Sequence, residues 1–125
     1  MKKIALMAFG LTAGIALGLG TAQAGDAAAG EKVFKKCKSC HTIEADGKNK
    51  IGPNLHGIIG KAAATAEGFK YSDAMAESGV TWTEETLTEF LTKPKDFIPG
   101  TKMSFGGLKK ADQIEDLLAY LQANS

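Results

Sequence analysis

The residues best equipped for chemistry in this sequence stand together in KKCKSCHTI, residues 35–43. Cys37 and Cys40 are the two cysteines of the chain, and His41 is one of its two histidines. A disulfide between Cys37 and Cys40 would close a very short loop, where the entropic gain is least, and it would leave His41 without a part. A thioredoxin-like redox pair needs a βαβ setting, and the sequence offers no strands. A zinc site has only Cys37, Cys40, His41 and His56 to draw on, with His41 abutting Cys40 and the second histidine fifteen residues away, off the usual ligand spacing. C-x-x-C-H is also the attachment pattern of a c-type haem. Two cysteines on one helical turn reach the vinyl groups of adjacent pyrroles as thioethers, and His41 then offers its imidazole to the iron from the same side. This fourth reading uses all three residues.

The N-terminus says where such chemistry takes place. Lys2 and Lys3 precede an apolar, Gly-rich run that carries no charge until Asp26 and ends in Ala22-Gln23-Ala24. That is the layout of a secretory signal peptide, expected to cover residues 1–24 and to be removed; the alternative is an uncleaved N-terminal membrane anchor. An exported domain meets oxidising conditions in which free thiols rarely persist, and thioethers consume both. The remaining residues 25–125 make one small domain. Its 13 lysines, with no arginine, face 14 acids for a formal net charge of −1, so no basic excess points to nucleic acid.

A haem with His41 on one side has a second axial position to fill. Beyond residue 24 the methionines are Met75, inside SDAMAES, and Met103, in the loop IPGTKMSFGG between Pro99 and Gly106. Met103 is the favoured ligand because the turns around it can hold a side chain over a flat cofactor, whereas a helical Met75 suits gap filling. His56, in GPNLHG, is the runner-up, with a structural hydrogen-bonded role preferred for it. A histidine and a methionine together fill both axial positions and raise the potential, which leaves the iron only electrons to exchange. An open distal site would instead suit a peroxidase-like haem enzyme or a ligand-binding sensor.

The elements that must position these residues read as all-α. Asp26 can cap a helix on which Gly30, Val33, Phe34 and Cys37 share a face. Residues 42–70 read as ordered loop. Ser72 starts a short helix through Glu77, closed by Gly79. Thr81 with Glu84 has the capping-box spacing, and the helix it opens should end near Thr92, ahead of Pro94. A second loop, KDFIPGTKMSFGG, follows. Ile114, Leu117, Leu118 and Leu121 then form one stripe of a helix over Ala111–Asn124. Loops this long need something to order them, and a large apolar cofactor supplies that surface.

Taken together, GDAAAGEKVFKKCKSCHTI, IGPNLHGIIG, GFKYSDAM, GVTWTEETLTEFLTKPKDFIPGTKMSF and DLLAYL resemble the class I c-type cytochromes, including mitochondrial cytochrome c and its soluble alphaproteobacterial relatives. The resemblance implies a small cytochrome c fold: three main helices, one or two short ones, and long loops wrapped around one covalently bound haem c. It implies a soluble periplasmic one-electron carrier and not an enzyme. It assigns the carbonyl of Pro53 to the ring N–H of His41, Tyr71 and Trp82 to a haem propionate, and Thr101 to the inner propionate beside Met103. It also packs Gly30 and Phe34 against Leu117 and Tyr120. Three positions depart from the mitochondrial pattern: Lys61 replaces an arginine near the propionate, Phe90 a tyrosine, and Met75 an asparagine. The polar network around Met103 should be thinner for it.

Lys35, Lys36 and Lys38 lie beside the cysteines, and Lys93, Lys95, Lys102, Lys109 and Lys110 around Met103; Glu84, Glu85, Glu89, Asp112, Glu115 and Asp116 gather elsewhere. A basic ring around the haem edge would steer the protein, expected to act as a monomer, to acidic docking surfaces on membrane redox complexes. Such partners are a quinol-oxidising complex and a terminal oxidase or reaction centre, with no nucleic acid among them.

Overall fold

The computed structural model describes residues 25–125, so the expected signal peptide, residues 1–24, lies outside the described residues. Five helices follow in order: α1 (Ala27–Phe34), α2 (Asp73–Glu77), α3 (Glu84–Thr92), α4 (Pro94–Phe97) and α5 (Ala111–Ala123). The fold is helical as expected, with three main helices and two short ones. Among the described residues the extended pairing amounts to one isolated bridge, Ala62 with Thr81. No helix of the described residues is long and apolar enough to cross a membrane.

The frame is the crossing of α1 and α5. Asp26 caps α1 by accepting from Ala28 N at 2.9 Å, and its own amide donates to Asp116 Oδ1 on α5 at 2.9 Å. The crossing is close because Gly30 faces α5: a Cβ there would overlap the Asp116 carbonyl and come within 2.8 Å of Tyr120 Cβ. The Phe34 and Tyr120 rings pack at 5.3 Å between centroids. Phe34 and Leu117 are among the most deeply buried side chains, and the expected stripe Ile114, Leu117, Leu118 and Leu121 is buried throughout. Removing a buried phenyl ring from such a core costs about 3–5 kcal/mol.

Three local expectations are corrected. α1 stops at Phe34 and does not run into the cysteines. Lys36 N to Val33 O (3.1 Å) and Cys37 N to Phe34 O (2.7 Å) are three-residue bonds that tighten the chain past the helix end. Cys37 and Cys40 therefore sit on a hydrogen-bonded turn and not on a regular helical turn. The capping box of α3 is Thr83 with Thr86, not Thr81 with Glu84. Thr81 is held extended by its bridge to Ala62 and accepts Thr86 Oγ1 on its carbonyl at 2.7 Å, so the helix opens two residues later. The loop after α3 also contains α4, which Pro94 starts at the position where a missing N–H costs nothing.

Candidate functional site

Helices α1, α3 and α5 and both long loops surround a cavity of about 1130 Å³. Cys37, Cys40 and His41 line it together with Pro53, and Met103 and Thr101 line it from the loop after α4. Tyr71 and Trp82 complete the wall. Every residue expected to serve the site thus faces one space, although the chain contributes them from positions 37 to 103.

The turn carrying the cysteines continues through His41, whose amide donates to Cys37 O at 2.9 Å. Burial pushes the Cys37 thiol up to about 11; Cys40 adds to this and Lys36 opposes it. His41 Nδ1 lies 2.7 Å from Pro53 O. A carbonyl can only accept, so Nδ1 carries the proton and Nε2 keeps its lone pair for a metal. Burial holds the imidazole below its ordinary value of 6.5, with Lys50 acting the same way and the Pro53 bond opposing. The ring is kept neutral, the form a metal needs.

Two residues without an assigned role in the sequence prove central here. Gly52 donates its amide to Cys40 O at 2.7 Å, and a Cβ on it would run into the His41 ring. Only the bare backbone lets the imidazole lie there. Asn54 ties the loop to itself: its Nδ2 donates to Thr42 Oγ1 (2.7 Å) and Glu44 O (2.9 Å), and its Oδ1 accepts His56 N at 3.1 Å. Asn49 Oδ1 in turn accepts Asn54 N at 2.9 Å. The one local signal for them is their place within IGPNLHG, on either side of Pro53.

On the other side, Met103 N donates to Thr101 Oγ1 at 3.3 Å. Met103 is half-buried against the core, and so is Met75, which also lines the cavity. Trp82 is buried, fixed by its amide to Lys61 O (2.8 Å) and by Gly60 N to its carbonyl (2.6 Å), with its ring 5.0 Å from Phe90. Tyr71 accepts Ala66 N on its hydroxyl at 3.0 Å, leaving the O–H free to donate. Lys61 reaches the cavity while its amine donates to His56 O at 3.0 Å. His56 is not among the cavity's lining residues; its Nδ1 meets Ile43 O at 3.2 Å, a structural role. Lys36, Lys50, Lys61, Lys70 and Lys102 line the cavity, and no Asp or Glu does. Only Lys36 and Lys102 of these belong to the clusters expected from sequence.

The donor set fits a haem. Two thiols lie beside one neutral imidazole with a free Nε2, a thioether faces the same space, and apolar side chains with lysines at the edge suit a flat apolar macrocycle bearing two carboxylates. Among the described residues no group of three His, Cys, Asp or Glu side chains is arranged to hold a bare metal ion.

Comparison with known proteins agrees. The Cytochrome c family model matches residues 27–125. Cytochrome c2 of Blastochloris viridis is 48% identical over 122 residues, 98% of this chain and 93% of the relative. Cytochrome c of Chlamydomonas reinhardtii is 54% identical over 102 residues, 81% of this chain and 91% of the relative. Cytochrome cH from Methylobacterium extorquens superposes with a TM-score of 0.75 at 46% identity, covering 79% of this chain and 99% of that one. The cavity holds the residues that a covalently attached haem c requires, and the chain belongs to the cytochrome c family, as an electron carrier and not an enzyme.

Proposed function

We propose that this cytochrome is an exported, periplasmic one-electron shuttle between membrane redox complexes, with His41 and Met103 as the axial ligands of its haem. The observation that carries the reading is the meeting of Cys37, Cys40, His41 and Met103 on one cavity. Cys37 and Cys40 would hold the group by thioethers. Pro53 O fixes the His41 ring with Nε2 directed away from the hydrogen bond. Met103 would supply a soft, neutral donor that favours the reduced state and closes the remaining position. Bound haem supplies an iron that changes by one electron between ferric and ferrous. Tyr71, Trp82 and Thr101 would orient the propionates, and Trp82, buried and backed by Phe90, helps exclude water from that side.

Export is supported by the leader-like residues 1–24, and the match to cytochrome c2 spans enough of the chain to include most of them. The lysines at the cavity edge favour partners with acidic docking surfaces, such as a quinol-oxidising complex and a terminal oxidase or reaction centre.

The test is the ferric absorption spectrum of the purified periplasmic protein beside Met103→Ala. The unaltered protein should be low-spin, show the sulfur-to-iron charge-transfer band, and ignore cyanide and peroxide at neutral pH. Met103→Ala should lose the band and bind cyanide. A band that survives in Met103→Ala refutes the ligand assignment.

A further inference from the structure

Lys61 reaches the cavity with its amine on His56 O at 3.0 Å. An ammonium on a four-carbon stem is a movable point charge, so where it stands depends on what holds that carbonyl. The His56 carbonyl and the Gly57 N–H belong to one planar peptide unit and point opposite ways, and the N–H donates to Asn124 O at 2.9 Å. Beside a glycine such a unit turns over at little steric cost, and Gly57 sits at a φ of 65°. Asn124 is itself held just beyond α5: its amide donates to Leu121 O at 3.1 Å and its Nδ2 to Tyr120 O at 2.8 Å. At the other end of the segment, Gly60 N donates to Trp82 O and Trp82 N to Lys61 O. Those bonds place the Lys61 backbone and leave its amine to the His56 carbonyl.

We propose that Asn124 is a positioning residue for the cavity's cation: by holding the His56–Gly57 peptide it sets where the Lys61 ammonium stands, and through it the reduction potential. The proposal rests on the shuttle reading, in which the cavity holds a redox-active haem. A cation at the cavity opposes the extra positive charge of ferric iron and so raises the potential. The bond from Gly57 N to Asn124 O also polarises the shared peptide and strengthens His56 O as an acceptor. A residue that forms no part of the cavity wall thereby acts on it through a single peptide unit.

The experiment compares the haem-loaded protein with Asn124→Ala, Lys61→Gln and the double variant, by redox titration and by hydrogen exchange of the Gly57 amide. Asn124→Ala removes the bond from Nδ2 to Tyr120 O. It should speed Gly57 exchange about fivefold, the worth of one ordinary hydrogen bond, and lower the potential in the same direction as Lys61→Gln but by less. In the Lys61→Gln background it should speed exchange as before and leave the potential where it was. A Gly57 amide equally protected in Asn124→Ala overturns the proposal, and so does an unchanged potential in that variant. A drop in potential that persists at full size in the double variant also overturns it, because a general loosening around the haem does not need Lys61. A high-spin ferric spectrum in the unaltered protein fails the His41–Met103 reading alone, since the exchange rates still decide whether Asn124 holds the peptide.

Discussion

On the His41 wall of the cavity, side chains tie almost every bend of the backbone, while on the Met103 wall the chain passes from Lys102 to Gly107 with one hydrogen bond among the described residues, from Met103 N to Thr101 Oγ1. The first wall has Asn54 at its hub, Thr42 Oγ1 donating to Lys48 O at 2.8 Å, and Leu55 N donating to Thr42 O at 2.9 Å. The second is pinned at its end, where Leu108 N reaches Leu91 O at 2.7 Å and Gly107, at a φ of 105°, lies against the Thr92 carbonyl. Position Gly107 takes no side chain, for reasons of conformation and space together. One wall is held by its own polar network; the other is stretched between two anchors and leans on what it covers. Local opening should begin on the less bonded side.

The strongest challenge to this contrast is Gly52→Ala. The new methyl meets the His41 ring, so the loss should reach about 3 kcal/mol, the upper end of overpacking, and the low-spin spectrum should go with it. A protein that kept both its spectrum and its denaturant midpoint would show that the wall yields. Asn54→Ala comes next: three side-chain hydrogen bonds vanish, worth about 3 kcal/mol together. Thr101→Val on the opposite wall removes one long bond and should cost about 1 kcal/mol or less. Equal shifts of the denaturant midpoint in these two variants would abolish the distinction.

The smallest effect belongs to the frame that both walls share. Burial first, then Glu31 and Glu44, raise the Tyr120 phenol above its ordinary 10.0. A raised folded value means this contribution is complete below the unfolded value and is lost as pH rises through the folded one. Tyr120→Phe should therefore flatten the decline in stability above about pH 10, read from denaturant midpoints; a decline as steep as before would assign it to other groups.

What could be read from the sequence follows from how local each signal is. C-x-x-C-H is legible because its chemistry is contained in five residues, and α5 because its stripe repeats within one helix. Asn54 and Gly52 are illegible because their importance lies in partners brought near by folding: Thr42 and Glu44 for one, the His41 ring for the other. The start of α3 is misplaced because Thr81, Thr83 and Thr86 offer competing caps, and the bridge from Ala62 to Thr81 decides among them. Pro94 reads as a stop and turns out also to be a start.

The crossing of α1 and α5 has a consequence in time. Its hydrogen bond joins Asp26 to Asp116, ninety residues apart, so the first helix of the domain has nothing to close against until the last one has been made and delivered. A chain cut short before α5 therefore leaves α1 without the partner that Gly30 and Phe34 are shaped to meet.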